Sequence, residues 1–273
     1  MKIINLIEDT RGREGCAFEH GLSFYIETEK HKLLMDTGAT DAFLKNAAIL
    51  GIDLGQVDTV VLSHGHYDHT GGLLAFAEQN SEADIYLQAS AGEAYYHWQE
   101  EGARYIGMDK AILSLPKLQL LTGNRKIDEE LFLFSHISGR RFWAKSNQQL
   151  KRKTKERFCQ DEFDHEQCLV ITERDNHVLL SGCAHNGILN ILDAYRAIYH
   201  GDPGAVISGF HMAQKEGYTE EDQRIIRQTA EELKQTDTVF YTGHCTGKAA
   251  FDQMKEIMGE QLRAIHSGEE ILH

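Results

Sequence analysis

The chain has 273 residues, 41% hydrophobic and 26% charged, which excludes a disordered or fibrous protein and fits one large domain or two small ones. Twenty-eight Lys and Arg stand against 42 Asp and Glu, a formal charge of −14, so the cationic footprint that nucleic acids require is not expected. Two prolines, 24 glycines and 15 histidines leave the turns to glycine and make the placement of histidine, the commonest metal-ligating side chain, the question to follow along the chain.

Residues 3–7 read as a short strand. Its apolar run is too brief for a signal peptide, acids follow at once, and no later stretch approaches the 18 apolar residues of a membrane span. Five cysteines without a C-x-x-C spacing suit a reducing compartment, and a cytoplasmic protein is expected. Residues 22–27 and 32–36 form a hairpin around a polar turn. A helix covers 41–50. Residues 58–63 (D-T-V-V-L-S) are a β-branched run suited to a strand buried on both faces. A helix at 73–79 and a strand at 85–88 follow.

The middle, from about 90 to 165, is a less regular cap or insert within a single domain spanning 1–273. It holds Tyr95, Tyr96, His97, Trp98 and Tyr105 and a basic stretch at 151–157. An amphipathic cap with a solvated charged face is favoured there over a substrate pocket. Regular structure resumes with a hairpin of 168–172 and 178–181, turned at 173–176. A helix at 186–199 and a strand at 205–208 come next. A helix opens at Thr219 with acids in its first turn. A strand at 239–242, a helix at 248–258 and a strand at 262–265 complete the alternation.

The segment 64–72, H-G-H-Y-D-H-T-G-G, follows the buried strand directly. His64 and His66 are two apart, so at the end of an extended strand both rings point the same way. Asp68 and His69 add two more candidate ligands in the turn. Gly65, Gly71 and Gly72 let the backbone bend sharply and approach an ion. Two further strand-to-helix loops carry histidines: S-G-C-A-H-N-G-I at 181–188 and T-G-H-C-T-G at 242–247. Such loops are where α/β active sites collect.

These residues resemble the metallo-β-lactamase superfamily, whose H-x-H-x-D-H hallmark is matched at 64–69, with Asp36-Thr37-Gly38 similar to its early D-T-G. With Gly209-Phe210-His211, the two later loops look like the dihydropteroate-synthase-like branch, named for archaeal enzymes of methanopterin biosynthesis. The resemblance implies a four-layer αββα sandwich with two divalent metal ions at one edge. His64, His66 and His185 would bind the first ion, and Asp68, His69 and His244 the second. Asp36 would orient the histidine loop.

Where the superfamily places a bridging aspartate, this chain has Cys183. Three readings stay open: a bridging thiolate, a buried bystander, or a bridge of water alone. A thiolate favours zinc, and N and O ligands alone also admit iron or manganese. His165 is a rival for the third ligand of the first ion. His211 is a candidate either as a ligand or for substrate binding and proton transfer. His20, His31, His97, His136, His177, His200, His266 and His273 read as ordinary surface or packing residues.

The expected activity is metal-dependent hydrolysis of a small-molecule ester, lactone or phosphoester by a metal-held hydroxide, with Asp68 and His211 as catalytic candidates. The alternative is a pterin-related synthase of the branch's type, with Tyr95, Trp98, Arg140, Arg141 and Lys145 as candidates for a flat ring and a phosphate. A nuclease and a non-catalytic metal-binding sensor rank below both. A small-molecule substrate is expected, without nucleic acid or membrane, and a homo-oligomer is compatible with the sequence.

Overall fold

A computed structural model describes residues 1–174, 176–214 and 217–272. His273 and part of the turn expected at 173–176 lie outside the described residues.

Two seven-stranded sheets form the centre. The first runs, in spatial order, Glu270–Leu272, Lys2–Ile7, Ser23–Glu27, Lys32–Met35, Thr59–Val61, Asp84–Gln88 and Leu118–Leu121. The second runs Leu262–Ala264, Val239–Thr242, Ala205–Ile207, Asn176–Leu180, Cys168–Glu173, Leu131–Phe134 and Arg125–Lys126. Both hairpins read from the sequence are present, with Tyr25 opposite Leu34 and Ile171 opposite Val178.

Side-chain alternation with period two explains the layering. Leu33, Met35, Val61, Leu169 and Ile171 point between the sheets. Leu34, Val60 and Leu62 point the other way, onto the helices Ala42–Ile49 and Leu73–Gln79. Cys168, Val170, Val206 and Phe240 point onto the helices Ile188–Tyr199, Glu220–Leu233 and Lys248–Met258. The order is helices, sheet, sheet, helices, the αββα sandwich expected. Each fully buried Leu, Ile or Val contributes about 1.5–3 kcal/mol relative to exposure. Thr219 caps Glu220–Leu233 through a capping box with Asp222.

The middle segment is more regular than its sequence suggests. Ala94–Gln99, Gly102–Tyr105, Leu150–Lys153 and Phe158–Gln160 form a third, four-stranded antiparallel sheet. One face buries Tyr95, Ile106, Leu150 and Phe163. The other leaves Trp98 and Tyr105 exposed, with Lys153 over the Tyr96 and Phe158 rings. Exposed lysines and aromatics masked the alternation. Among the described residues, no helix is long and apolar enough to cross a membrane.

Candidate metal centre

The strand Thr59–Val61 delivers Ser63, His64 and His66 to one edge of the sandwich, where a single helical turn, Tyr67–Thr70, carries Asp68 and His69. Ser181 to Asn186, the loop holding His211 and the turn holding His244 leave neighbouring strands of the second sheet at the same edge. The sheets are stitched there by Gln167. Its amide nitrogen donates to Leu62 O (2.8 Å) and Tyr86 O (3.1 Å), and its backbone N–H to Ser63 O (2.8 Å).

The proton positions on four rings follow from their partners. The Ser63 hydroxyl donates to Asp36 Oδ2 (2.7 Å), so at 2.8 Å it accepts from His64 Nδ1. Asp36 Oδ2 also accepts from His69 Nδ1 at 2.7 Å. Asp9 Oδ1 accepts from His244 Nδ1 at 2.6 Å. The Asn147 amide donates to His185 O (2.8 Å), which turns its Oδ1 toward His185 Nδ1 at 3.2 Å. In all four residues Nδ1 carries a proton, and in His64, His69 and His185 the other nitrogen, Nε2, is left as the acceptor. The Nε2 atoms of His185 and His244 are buried without a partner. His69 Nε2 lies 3.1 Å from Cys183 Sγ, and His64 Nε2 lies 3.0 Å from His66 Nδ1.

The donor atoms fall into overlapping groups, in which His66 gathers with Asp161 and His165 rather than with His64 and His185. Those of Asp68, His69, Cys183 and His244 lie within 4.8 Å of one another, as do those of His64, Cys183 and His185. Cys183 Sγ belongs to both. Orphaned lone pairs in a buried pocket of imidazole, carboxylate and sulfur fit divalent cations, and the surrounding acceptors set the tautomers such ions require.

Burial keeps the rings of His64, His66 and His185 neutral. It pushes His64 and His185 well below the ordinary histidine range, with neighbouring rings adding to the effect. Burial, with His165 alongside, takes His66 down to about 3. For His244 burial acts the same way but is outweighed by Asp68 and Asp9, which hold it well above the ordinary range. Burial raises the Cys183 thiol.

His165 is fully buried beside His66, with ring centroids 5.3 Å apart, and it groups with Asp161 rather than with His185. Its Nδ1 accepts the Gly65 N–H (3.0 Å), leaving Nε2–H to donate to Asp161 Oδ2 (3.2 Å). Both nitrogens are used, so it braces the loop rather than offering a lone pair. The ring of His211 lies 4.2 Å from that of His185, with both its nitrogens buried and unpartnered.

His20, read as ordinary, stands at the site. Its Nδ1 meets Asp9 Oδ2 at 2.8 Å, its Nε2 lies 3.5 Å from Asp68 Oδ2, and its ring stacks on His244. Sequence reasoning also passed over Asp9, Asn147, Asp161 and Glu166. Glu166 accepts the backbone N–H groups of His185 (2.7 Å) and Asn186 (3.0 Å). None of these sits in a recognisable motif, and Asp9 reaches His244 across 235 residues.

The residues considered for a flat ring and a phosphate are mostly engaged elsewhere. Tyr95 is fully buried with its hydroxyl on Ser90 O, Trp98 lies on the outer sheet face, and Arg141 is paired with Asp193 and Glu232. Lys145 is exposed. Phe163 stacks on His185 at 4.5 Å and Tyr95 lies 5.9 Å from His66, while Trp143, 6.0 Å from Phe163, is covered by the Arg140 guanidinium.

The backbone is tightly constrained. Asp36, Phe163, Ala184, His211 and His244 all have φ between +49° and +61°, a region that side-chain-bearing residues seldom occupy. At Gly182 a Cβ would lie 2.2 Å from Ser63 Oγ, so only glycine lets the second sheet come this close to the histidine strand.

Residues 17–147 match the family model of the metallo-beta-lactamase superfamily. A relative from Methanocaldococcus jannaschii, "7,8-dihydropterin-6-methyl-4-(beta-D-ribofuranosyl)-aminobenzene-5'-phosphate synthase", is 27% identical, the match covering 98% of this chain and 95% of that one. A crystal structure described as a metal-dependent hydrolase of the beta-lactamase superfamily is 27% identical with a TM-score of 0.84, covering 100% of this chain and 99% of the other. The Zn2+-bound PqqB of Methylobacterium extorquens covers 100% of both chains at 12% identity and TM-score 0.58, a likeness of fold alone.

Proposed function

Because the chain belongs to the metallo-β-lactamase superfamily, we propose that it is a metal-dependent hydrolase of a small-molecule ester, lactone or phosphoester, holding two divalent ions. His64, His66 and His185 would hold one, and Asp68, His69 and His244 the other. Cys183 lies between the two sets, and its sulfur favours zinc over iron or manganese. The observation that carries this reading is the shared Nδ1–H tautomer of His64, His69 and His185, which leaves each Nε2 as an acceptor within the donor cluster.

When bound, such a pair supplies Lewis-acid activation of water and of the oxygen under attack. The chain's own residues supply the rest. Asp36, Ser63, Asn147 and Asp9 hold the rings in place. Asp68, buried close to His20, His69 and His244, holds its carboxylate among their rings. Tyr95, Ile106, Leu150 and Phe163 form an apolar wall that keeps water off the His66 side. The acidic overall charge supports a small-molecule substrate rather than nucleic acid.

The test is elemental analysis of the untreated protein and of His66→Ala, with a panel of esters, lactones and phosphoesters. Metal and turnover are expected to fall together in the variant. Full turnover by metal-free protein would refute the reading.

A second reading is a pterin-related synthase, supported by the nearly full-length match to the archaeal synthase. Phe163, Trp143 and Arg140 beside His185 are the groups suited to a flat heteroaromatic and its phosphate. It predicts thermal stabilisation by pterins and pterin phosphates. No shift with any of them would discard it.

A further inference from the structure

A further group of donors lies beside the proposed pair. Cys183, His211 and Cys245 each follow one of three neighbouring parallel strands, Asn176–Leu180, Ala205–Ile207 and Val239–Thr242, at their carboxyl ends. One donor atom from each lies within 4.8 Å of the other two. No disulfide joins the cysteines.

The surroundings hold these atoms together. The His211 backbone N–H donates to Cys245 Sγ at 3.3 Å, and that sulfur lies 3.6 Å from Cys183 O. A Cβ on Gly209 would stand 2.5 Å from Cys245 Sγ, so the chain keeps a glycine where the sulfur needs room. His211, in the group, and His244, beside it, both hold φ of +49°. Both His211 ring nitrogens are buried without a partner. An imidazole enclosed in this way forgoes its hydrogen bonds unless something else takes a lone pair.

We propose that Cys183, His211 and Cys245 form a third metal position, for a soft cation of the zinc type, beside the pair and sharing Cys183 with it. Two sulfurs and one imidazole are a donor set that selects zinc over magnesium, calcium or manganese. Three protein ligands are the number found where a fourth position stays open to water or substrate. The inference rests on the site being a metal centre but not on any reaction. It assigns His211 to metal binding rather than to proton transfer.

The test is zinc stoichiometry after equilibrium dialysis of the full chain, for the wild type, Cys245→Ser and His211→Asn, with cobalt substitution as a second readout. Both variants should bind one equivalent fewer than the wild type. Cys245→Ser should also weaken the thiolate-to-cobalt charge-transfer band. His211→Asn guards against a folding defect of the cysteine variant, and circular dichroism checks both. Unchanged stoichiometry and an unchanged band would overturn the third position while leaving the pair intact. A wild type that binds no zinc would overturn both this proposal and the metal-pair reading. A Cys183–Cys245 disulfide found in the native protein would also overturn the proposal.

Discussion

Asp36 Oδ2 lies 2.7 Å from His69 Nδ1, while the same carboxylate takes the Ser63 backbone N–H and hydroxyl, each at 2.7 Å. One buried carboxylate thereby sets the tautomer of His69 and, through Ser63, that of His64. Asp36→Asn replaces one acceptor oxygen with a donor. Metal affinity should fall about 10–100-fold, read by competition with a chelator. Unaltered affinity would show that the tautomers are set by other groups.

Glu166 plays the corresponding part on the opposite loop, accepting from two backbone N–H groups and the Asn186 amide. Glu166→Gln turns an amide toward at least one of these donors and leaves it unsatisfied. A loss of about 1–3 kcal/mol is expected from denaturant unfolding. A variant as stable as the parent would mean that the loop finds other acceptors.

Gly182→Ala is a test of packing between the sheets. The added methyl would meet Ser63 Oγ at 2.2 Å and Ser63 Cβ at 2.8 Å. Relief requires the histidine strand to move, at about 1–3 kcal/mol. Both the melting temperature and metal retention should drop. Gly51→Ala, where the space is open but φ is +71°, should lower stability without touching metal.

The pH dependence of stability is clearest at His31, whose Nδ1 meets Asp58 and whose Nε2 meets Asp128 at 2.8 and 2.9 Å. Burial lowers its pKa, but the two carboxylates outweigh this and raise it. A raised folded value means that the contribution is complete below the unfolded pKa of about 6.5 and fades as pH rises through the folded value. His31→Gln should therefore lower the melting temperature by about 2–4 °C at pH 6 and by less at pH 9. Equal deficits at both pH values would contradict the charge-based origin.

Most of the sandwich was legible because its strands are short β-branched or alternating runs punctuated by glycine. Its helices carry clear apolar faces. The histidine motif was legible because its members are contiguous. What escaped was whatever depends on distant pairing. Asp9 and His20 look like surface polar residues until the last parallel strands bring His244 beside them. His165 looks like a ligand until the Gly65 N–H takes its lone pair. The third sheet escaped because its outer face exposes Trp98, Tyr105 and lysines, so polar and apolar positions do not separate cleanly along the chain.

The left-handed residues around the site have an evolutionary consequence. At Ala184, with φ +53°, glycine would relieve roughly 1–2 kcal/mol of backbone cost. Selection for heat resistance alone would thus accept Ala184→Gly, but not glycine at Asp36, whose three buried hydrogen bonds would be lost, or at Phe163, whose core ring would be deleted. A thermostabilised lineage of this protein should therefore gain at Ala184 and hold Asp36 and Phe163 unchanged.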